Sequence, residues 1–436
     1  MQRLLEAQRK EDTSMERQLV DLILADMKPA LGVTEPAAIA LACATAREMT
    51  SEAVKSVLVR ENSGMYKNAY TCGIPNTDKV GNLYAAALGV VAGDADKGLL
   101  VLEGVKDTDV ALAQTMVEEG CVRAEVSSVS PDLYIYACVE TEHDLCEVEI
   151  SGSHTNICRK VKNGEVLWEK SVEAGAEEKK SPIVEYALVD FYRFAKNCPA
   201  EWLEPIQEAY RVNRELAEAA YASERCILTK SLWTANGGQW VSKDLRTTTR
   251  LLAGAASEAR VLGLDKPAMS ITGSGNHGII ATMPLYAMAK VEDLAEELLL
   301  RATVLSYLVT MYMKEFAGKL SAFCGCGVAA GTGMACGLTF MRGGSYEQVE
   351  ATLNNMASSL VGMICTGGNH ACCMKVLAAV DIAITSMELA MSGASVAPEH
   401  GVADRAPEKT MQNIGLIASP GMIETERVIL EIMQNK

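Results

Sequence analysis

Residues 321–338 read SAFCGCGVAAGTGMACGL, and residues 363–375 read MICTGGNHACCMK. Together the two stretches hold six of the fourteen cysteines in this chain of 436 residues. Glycine and alanine surround the thiols, and small residues are what a bulky inorganic cofactor requires if the backbone is to approach it closely. The two stretches therefore predict a cofactor site, with the rest of the chain as its scaffold and substrate pocket.

The spacing of these cysteines leaves two interpretations open. It is neither the C-x2-C-x2-C run of a ferredoxin nor the paired C-x2-C units of a zinc site. Free cysteine is among the most buried residue types, so the same thiols would also suit packing between helices. A nearby helix N-terminus lowers a thiol pKa and backbone amides donate hydrogen bonds to cluster sulfides, which favours a site.

Composition and charge narrow the class of protein. Hydrophobic residues make up 49% of the chain and charged residues 22%, which is typical of a globular enzyme with two domains or one large domain carrying an insertion. A net charge of −16 disfavours nucleic acid and anionic membrane surfaces as partners. The N-terminus is charged and has no apolar core, and no run of about 18 uncharged apolar residues follows it. We therefore expect no signal peptide, no membrane span, reduced thiols and a cytoplasmic location.

The order of periodic segments predicts an α+β fold. Residues 15–50 have two helical patterns, broken at residues 32–36. Alternating runs typical of strands follow, with a hairpin turn at Asn163-Gly164, and the last part of the chain is almost entirely helical in pattern. We expect N-terminal helices (1–54) that pack on a helical C-terminal bundle (181–436), and between them an inserted small α+β domain (55–180) that ends in a charged connector (173–180).

Residues 269–284 read MSITGSGNHGIIATMP and form a second glycine-rich loop. Its three glycines let backbone amides converge into an anion-binding nest before a helix. The loop fits neither the Walker pattern nor a dinucleotide fingerprint. A helix cap with a lone polar histidine is one interpretation. The other is a cradle for a substrate carboxylate, formed by Ser274, Gly275, Asn276 and His277.

Three further motifs carry polar side chains that suit chemistry. His154 lies in GSHTNI, where a histidine acts as acid, base or carboxylate ligand, or lies solvated at a sheet edge. Lys67 and Asn68 lie in MYKNAYTCGIP, which is also typical of a surface hairpin. Glu35 lies in LGVTEP at the start of the second predicted helix, as part of a cap or of a site.

In combination, the motifs GVTEPAAIALA, YKNAYTCGIP, GSHTNI, MSITGSGNHGI, CGCGVAAGTG and MICTGGNHACCMKV resemble the L-cysteine desulfidase family and its bacterial relatives. The C-terminal part is similar to the alpha-chain domain of iron–sulfur L-serine dehydratases. The resemblance covers nearly the whole chain in the same order. It implies a 4Fe–4S cluster held by three cysteines, without pyridoxal phosphate. It also implies elimination of sulfide or water from a small amino acid, L-cysteine or L-serine, to give pyruvate and ammonia.

The resemblance assigns roles to individual residues. Cys326, with Cys324 as the close alternative, Cys365 and Cys372 match the cluster-ligand positions. The glycine-rich loop and the histidine motif match positions that bind the substrate carboxylate or move protons. The candidate bases for the Cα proton are His154, His277 and Glu35, and the candidate partners of the carboxylate or leaving group are Lys67 and Asn68.

This sequence departs from the family's motifs at four positions. Val33 stands where the first motif has a cysteine, and it can neither ligate iron nor move a proton. Thr366 and Asn369 stand where the family has an acid and a lysine, and His277 replaces a glutamine. The changes leave the fold expectation intact and keep two further hypotheses open. One is a non-catalytic or altered relative that binds an amino acid or a metal, and the other is a hydrolase or transferase with Cys326 as nucleophile. A homodimer is compatible with the helical composition.

Overall fold

The computed structural model describes residues 17–170, 180–318, 320 and 322–436. These residues form the predicted α+β fold, with a mixed sheet in the first half of the chain and a helical bundle in the second. The strands are β1 (Lys28–Leu31), β2 (Ser56–Asn62), β3 (Val122–Ser128), β4 (Tyr134–Glu140), β5 (Leu145–Ser151), β6 (Ile157–Lys162), β7 (Glu165–Glu169) and β8 (Pro267–Ser270). The helices are α1 (residues 17–26), α2 (Thr34–Arg47), α3 (Ser63–Ala69), α4 (Asn82–Ala92), α5 (Asp107–Glu118), α6 (Leu188–Asn197), α7 (Gln207–Ala222), α8 (Ile227–Ala235), α9 (Leu245–Val261), α10 (Gly275–Val291), α11 (Glu296–Ala317), α12 (Gly331–Met341), α13 (Tyr346–Leu360), α14 (His370–Met391), α15 (Pro407–Leu416) and α16 (Ile423–Gln434).

The main sheet has six strands in the order β3-β2-β4-β5-β6-β7. β2 and β3 run parallel because helices α3 to α5 cross between them, and the other neighbours are antiparallel. The predicted hairpin joins β6 to β7, with Asn163 and Gly164 at φ values of 52° and 83°. Positive φ at both positions is what a type I′ turn requires, so this prediction is confirmed.

The two N-terminal helices pack into different cores. α1 places Leu19, Val20 and Ile23 in the core of the bundle, as expected. α2 instead lies in the core of the sheet region, against α4, β4 and β5. The expectation that residues 1–54 pack on the bundle therefore does not hold for α2. A helix that is apolar all round is identified as buried by its pattern, but the pattern does not say which neighbour buries it.

Two other sequence expectations concern the segment around Lys67 and the ends of the described ranges. The segment around Lys67 is the buried helix α3, and not a surface hairpin. The charged connector falls mostly on residues 171–179, and the first predicted helix begins at residue 15, so both reach outside the described residues. The predicted domain boundaries stay predictions. Within the described ranges, no helix has the length and apolarity needed to cross a membrane.

The sheet region and the bundle are tied together beside the N-terminus of α10. β1 pairs antiparallel with β8, so the chain just before α2 is hydrogen-bonded to the strand that leads into α10. Gly278 permits this close packing, because a Cβ at this position would overlap the carbonyl oxygen of Met269. The β1–β8 pairing therefore links the start of α2 to the start of α10.

Candidate functional site

A cavity of about 550 Å³ lies between the sheet region and the bundle. The first turns of α2, α10 and α14 line it, together with the loop that follows β5. A helix N-terminus presents unpaired N–H groups and the positive end of the helix dipole. Three such ends at one cavity favour anionic groups, whether thiolates of the protein or a carboxylate of a ligand.

Four cysteines line this cavity: Cys324, Cys326, Cys365 and Cys372. The thiol of Cys326 is hydrogen-bonded with the thiols of both Cys324 and Cys372. Nδ2 of Asn276 donates a hydrogen bond to Sγ of Cys372 at 3.0 Å. The structure therefore brings together two cysteines from residues 321–338 and two from residues 363–375, which lie about 40 positions apart in the sequence.

Backbone pairing holds the two stretches against each other. Phe323 and Ile364 form an antiparallel bridge, and the amide of Cys324 donates to the carbonyl of Met363 at 2.9 Å. Gly327 is required at this point, because a Cβ there would overlap Sδ of Met363. The glycines that marked the motif therefore allow two loops to meet at the thiols.

The thiols differ in acidity. The hydrogen bond from Cys326 is the largest cause that lowers the pKa of Cys372 to about 6, and Asn276 and the charge of Lys375 act in the same direction. The hydrogen bond from Cys326 also lowers the pKa of Cys324, while the same two bonds raise the pKa of Cys326 well above its ordinary value. Burial raises the pKa of Cys365. Of the four thiols, those of Cys324 and Cys372 are therefore the most readily deprotonated.

The donor set fits an iron–sulfur cluster. Besides the four thiols, the backbone amide of Gly327 is hydrogen-bonded to the sulfur of Cys324, and that of Gly367 to the sulfur of Cys365. Amide hydrogen bonds of this kind are typical of cluster-ligating thiolates. Across the described residues, no three His, Cys, Asp or Glu side chains are arranged around a single metal ion.

Glu35 is a buried carboxylate at the start of α2. Its side chain accepts hydrogen bonds from Asn68 at 2.8 Å and from Thr34 at 3.2 Å. Burial alone would raise the pKa of Glu35, but the charge of His154, the hydrogen bond from Asn68 and the charge of Arg260 outweigh it, and the pKa lies below its ordinary value. Thr34 bonds to Glu35 and does not cap the helix, whose N-cap residue is Val33. The structure thus brings Glu35, Asn68 and His154 to one side of the cavity.

His277 lies on the first turn of α10 and is buried. Its Nδ1 is 2.6 Å from Oγ1 of Thr272, and Gly325 leaves room for the ring, since a Cβ there would lie 2.5 Å from Nε2. Burial, together with the charges of Lys314 and Arg260, lowers the pKa of His277 well below its ordinary value. The imidazole is therefore neutral where it lies next to the cysteine loop.

Arg260 is a functional candidate that the sequence did not reveal. It lies at the C-terminal end of α9, lines the cavity and is 4% exposed. Its Nε is buried without a hydrogen-bond partner, and in the part of the chain that the structure describes no carboxylate lies within ion-pairing distance of the guanidinium. A buried guanidinium with an unsatisfied donor is costly unless a ligand supplies an acceptor.

The remaining predicted site residues are placed as follows. Ser274 and Asn276 line the cavity, and Oδ1 of Asn276 is buried without a partner. Gly275 acts through its lack of a side chain, because a Cβ there would lie 2.8 Å from Cδ of Arg260 and would overlap its Nε. Lys67 lies outside the cavity, fully buried, with Nζ 2.7 Å from Oε2 of Glu426 on α16.

The positions where the sequence departs from the family's motifs also have clear environments. Val33 lines the cavity beside Gly368. Oγ1 of Thr366 accepts a hydrogen bond from Nζ of Lys375 at 2.6 Å, so a lysine from α14 still reaches this loop. Asn369 is the N-cap of α14, and its Oδ1 accepts from the amide of residue 371 at 3.0 Å.

Comparison with known proteins identifies the family. A family model described as serine dehydratase alpha chain matches residues 96–431, which is most of the chain. The chain belongs to the serine dehydratase alpha-chain family. Members of this family are lyase-like and generally associated with iron–sulfur clusters.

Curated relatives align over nearly the whole length. A UPF0597 protein of Clostridium botulinum strain Hall is 38% identical over 424 residues, which cover 95% of this chain and 98% of the relative. UPF0597 proteins of Bacteroides fragilis and Clostridioides difficile strain 630 are 35% and 32% identical over 426 residues each, covering 97% and 95% of this chain and 99% of each relative. The names of these relatives state no activity or substrate.

Proposed function

We propose that this member of the serine dehydratase alpha-chain family catalyses an iron–sulfur-dependent α,β-elimination on a small amino acid. L-Cysteine would give sulfide, ammonia and pyruvate, and L-serine would give ammonia and pyruvate. The observation that carries the proposal is that four thiols, a buried arginine with an unsatisfied Nε, an ionised glutamate and a neutral histidine line one cavity.

Three of the four thiols would hold the cluster. We assign Cys365 and Cys372, with Cys326 as the third ligand and Cys324 as its alternative. When bound, a cluster with an open iron site supplies a Lewis acid for the substituent on Cβ. Asn276 and the amides of Gly327 and Gly367 then keep the thiolates oriented.

Arg260 and Glu35 would bind the two charged groups of the amino acid. The guanidinium lines the cavity with its Nε unsatisfied, so a substrate carboxylate would complete its hydrogen bonds. Glu35 is held ionised and suits the substrate ammonium group. The first turn of α10 adds backbone N–H groups on the carboxylate side. Together these contacts fix the Cα–H bond in the cavity.

His277 would remove the Cα proton. It is neutral because it is buried between cationic groups, and its Nδ1 is tied to Thr272, which leaves Nε2 to accept the proton. Loss of the Cα proton and of the Cβ substituent leaves an enamine, which water converts to pyruvate and ammonia. His154 and Glu35 are the alternative bases, because both line the same cavity.

A pyruvate assay with L-cysteine and L-serine tests the reaction on anaerobically reconstituted protein. The variants His277→Gln and His154→Asn test the base. Glutamine is the residue that the family usually carries at position 277, so it fits the site but cannot take a proton. We expect His277→Gln to lower kcat about 100-fold or more while His154→Asn changes it less. An equal rate for His277→Gln and wild type would remove His277 from this role.

Val33, without the thiol that the family carries, favours a second hypothesis, in which the protein binds an amino acid without converting it. Binding of L-serine or L-cysteine seen as a thermal shift, together with no pyruvate from either, would support that hypothesis and contradict elimination.

A further inference from the structure

The cavity has an apolar lining that the elimination chemistry does not use. Val33, Leu133, Leu320 and Phe323 are buried side chains that border it, and Leu22 on α1 borders it while half-buried. Serine has no apolar group that would cover such a surface. Apolar lining in a ligand pocket favours a ligand that carries apolar atoms of its own.

The volume of the cavity also exceeds what serine or cysteine requires. Seven non-hydrogen atoms need about 200 Å³ if each takes the roughly 30 Å³ that a water molecule takes in the liquid. By the same measure, the eight atoms of a four-iron cluster need about 240 Å³. Of the cavity's roughly 550 Å³, about 110 Å³ therefore remain, which is room for three or four further carbon atoms.

We propose that the preferred substrate is an α-amino acid that carries a hydroxyl or thiol group on Cβ and also an alkyl group of up to about three or four carbons on the same carbon. This inference rests on the proposed elimination and names its substrate class. The Cα proton passes to the base, the bond from Cβ to oxygen or sulfur breaks, and its electron pair leaves with the heteroatom, which takes up a proton as water or hydrogen sulfide. Protonation of the enamine at Cβ and hydrolysis by one water then give a 2-oxo acid with a lengthened chain, and ammonia.

Val33 is the residue that would select for the alkyl group. It lies at the N-cap of α2, immediately before Thr34 and Glu35, so it borders the place where the substrate ammonium group would bind. Its Cγ1 is 3.3 Å from the position of a Cβ on Gly368, in the loop that carries Cys365. Val33 therefore lines the cavity where the start of α2, with Glu35, packs against the loop that carries Cys365.

Unreactive amino acids test this inference without requiring turnover. The anaerobically reconstituted full chain would be titrated by calorimetry with L-alanine, L-2-aminobutyrate, L-valine, L-leucine and L-phenylalanine. We expect Kd to fall about fourfold for each added methylene from alanine to leucine, and to rise again for phenylalanine, which has more carbons than the remaining volume admits.

Val33→Thr is the matched variant. Threonine is close in size to valine and is favoured at an N-cap, but it replaces one methyl by a hydroxyl. We expect the ratio of Kd values for alanine and valine to shrink at least threefold in this variant, with an unchanged thermal midpoint. Tightest binding of alanine in the wild type, or an unchanged ratio in Val33→Thr, would overturn the inference while leaving elimination in place. Failure of every amino acid to bind would overturn both proposals.

Discussion

Replacing Arg260 by methionine separates a ligand-binding role from a structural one. Methionine keeps an unbranched side chain of similar length and removes the charge and all five donors. In the structure, the Nε of Arg260 is buried without a partner, so the free protein gains no hydrogen bond from it. A buried polar group left unsatisfied costs about 1–3 kcal/mol, so Arg260→Met should leave the free energy of unfolding unchanged or raise it by about this amount.

The same change should weaken the binding of substrate. A hydrogen bond to a charged group contributes about 1.5–3 kcal/mol, and a bidentate pair with a carboxylate contains two. Loss of one such bond corresponds to a roughly 10- to 150-fold rise in Kd or KM, and loss of both to a larger rise. Amino-acid binding by calorimetry and unfolding in guanidinium chloride would be measured on the same preparation.

Arg246→Met is the control for this experiment. Arg246 lies on the same helix, but at the surface, where it forms ion pairs with Asp381 and Glu388. Its loss should leave binding unchanged and alter stability by less than about 1 kcal/mol. If Arg260→Met lowered stability by several kcal/mol and left amino-acid binding unchanged, Arg260 would be a structural residue and the carboxylate assignment would fail.

Three further changes test other parts of the structure. Burial raises the pKa of Glu61 to about 8. The folded chain therefore keeps a proton on Glu61 that the unfolded chain loses above about pH 4.5. As a result, the free energy of unfolding falls as the pH rises from about 4.5 toward 8. Glu61→Gln should therefore have little effect at pH 4 and gain roughly 3–5 kcal/mol over the wild type at pH 8.5 in denaturant titrations, and an equal gain at both pH values would refute the assignment. Lys67→Met breaks a fully buried ion pair and should lower stability by about 3–5 kcal/mol, and the double variant with Glu426→Gln should recover part of this loss; additive losses would show that the pair is not coupled. Gly325→Ala should displace His277. We expect kcat to fall while the thermal midpoint changes little, and an unchanged kcat would argue against His277 as the base.

Local patterns predicted the elements of the fold and much of the site. The turn at Asn163-Gly164, the strands around it and the long helices α9, α13 and α14 follow from short-range periodicity and turn chemistry. The glycines of the two cysteine stretches were interpreted as places of close backbone approach, and Gly327 has this role. These features were accessible because their causes lie within a few residues of each other.

Features that depend on distant partners could not be predicted in the same way. The sequence around Lys67 is typical of a surface hairpin because Gly73-Ile74-Pro75 follows it closely. Only the fold shows Glu426, 359 positions away, as the buried partner of Lys67. Arg260 occupies the last turn of an amphipathic helix, where an arginine is ordinarily a solvated residue that favours the helix dipole. One signal was available in the sequence, since a glycine directly at the start of α10 leaves room for a large neighbouring side chain.

The most direct test of the central claim is the iron content of anaerobically reconstituted protein, measured for the wild type and for the alanine variants of Cys324, Cys326, Cys365 and Cys372. Cys336→Ala serves as the control, because Cys336 is buried in α12 away from the cavity. We predict about four irons per chain in the wild type and the control, loss of most iron in three of the four cavity variants including Cys365→Ala and Cys372→Ala, and retention in the fourth. A wild-type protein without iron, or cavity variants that all keep the iron content of the wild type, would contradict the account.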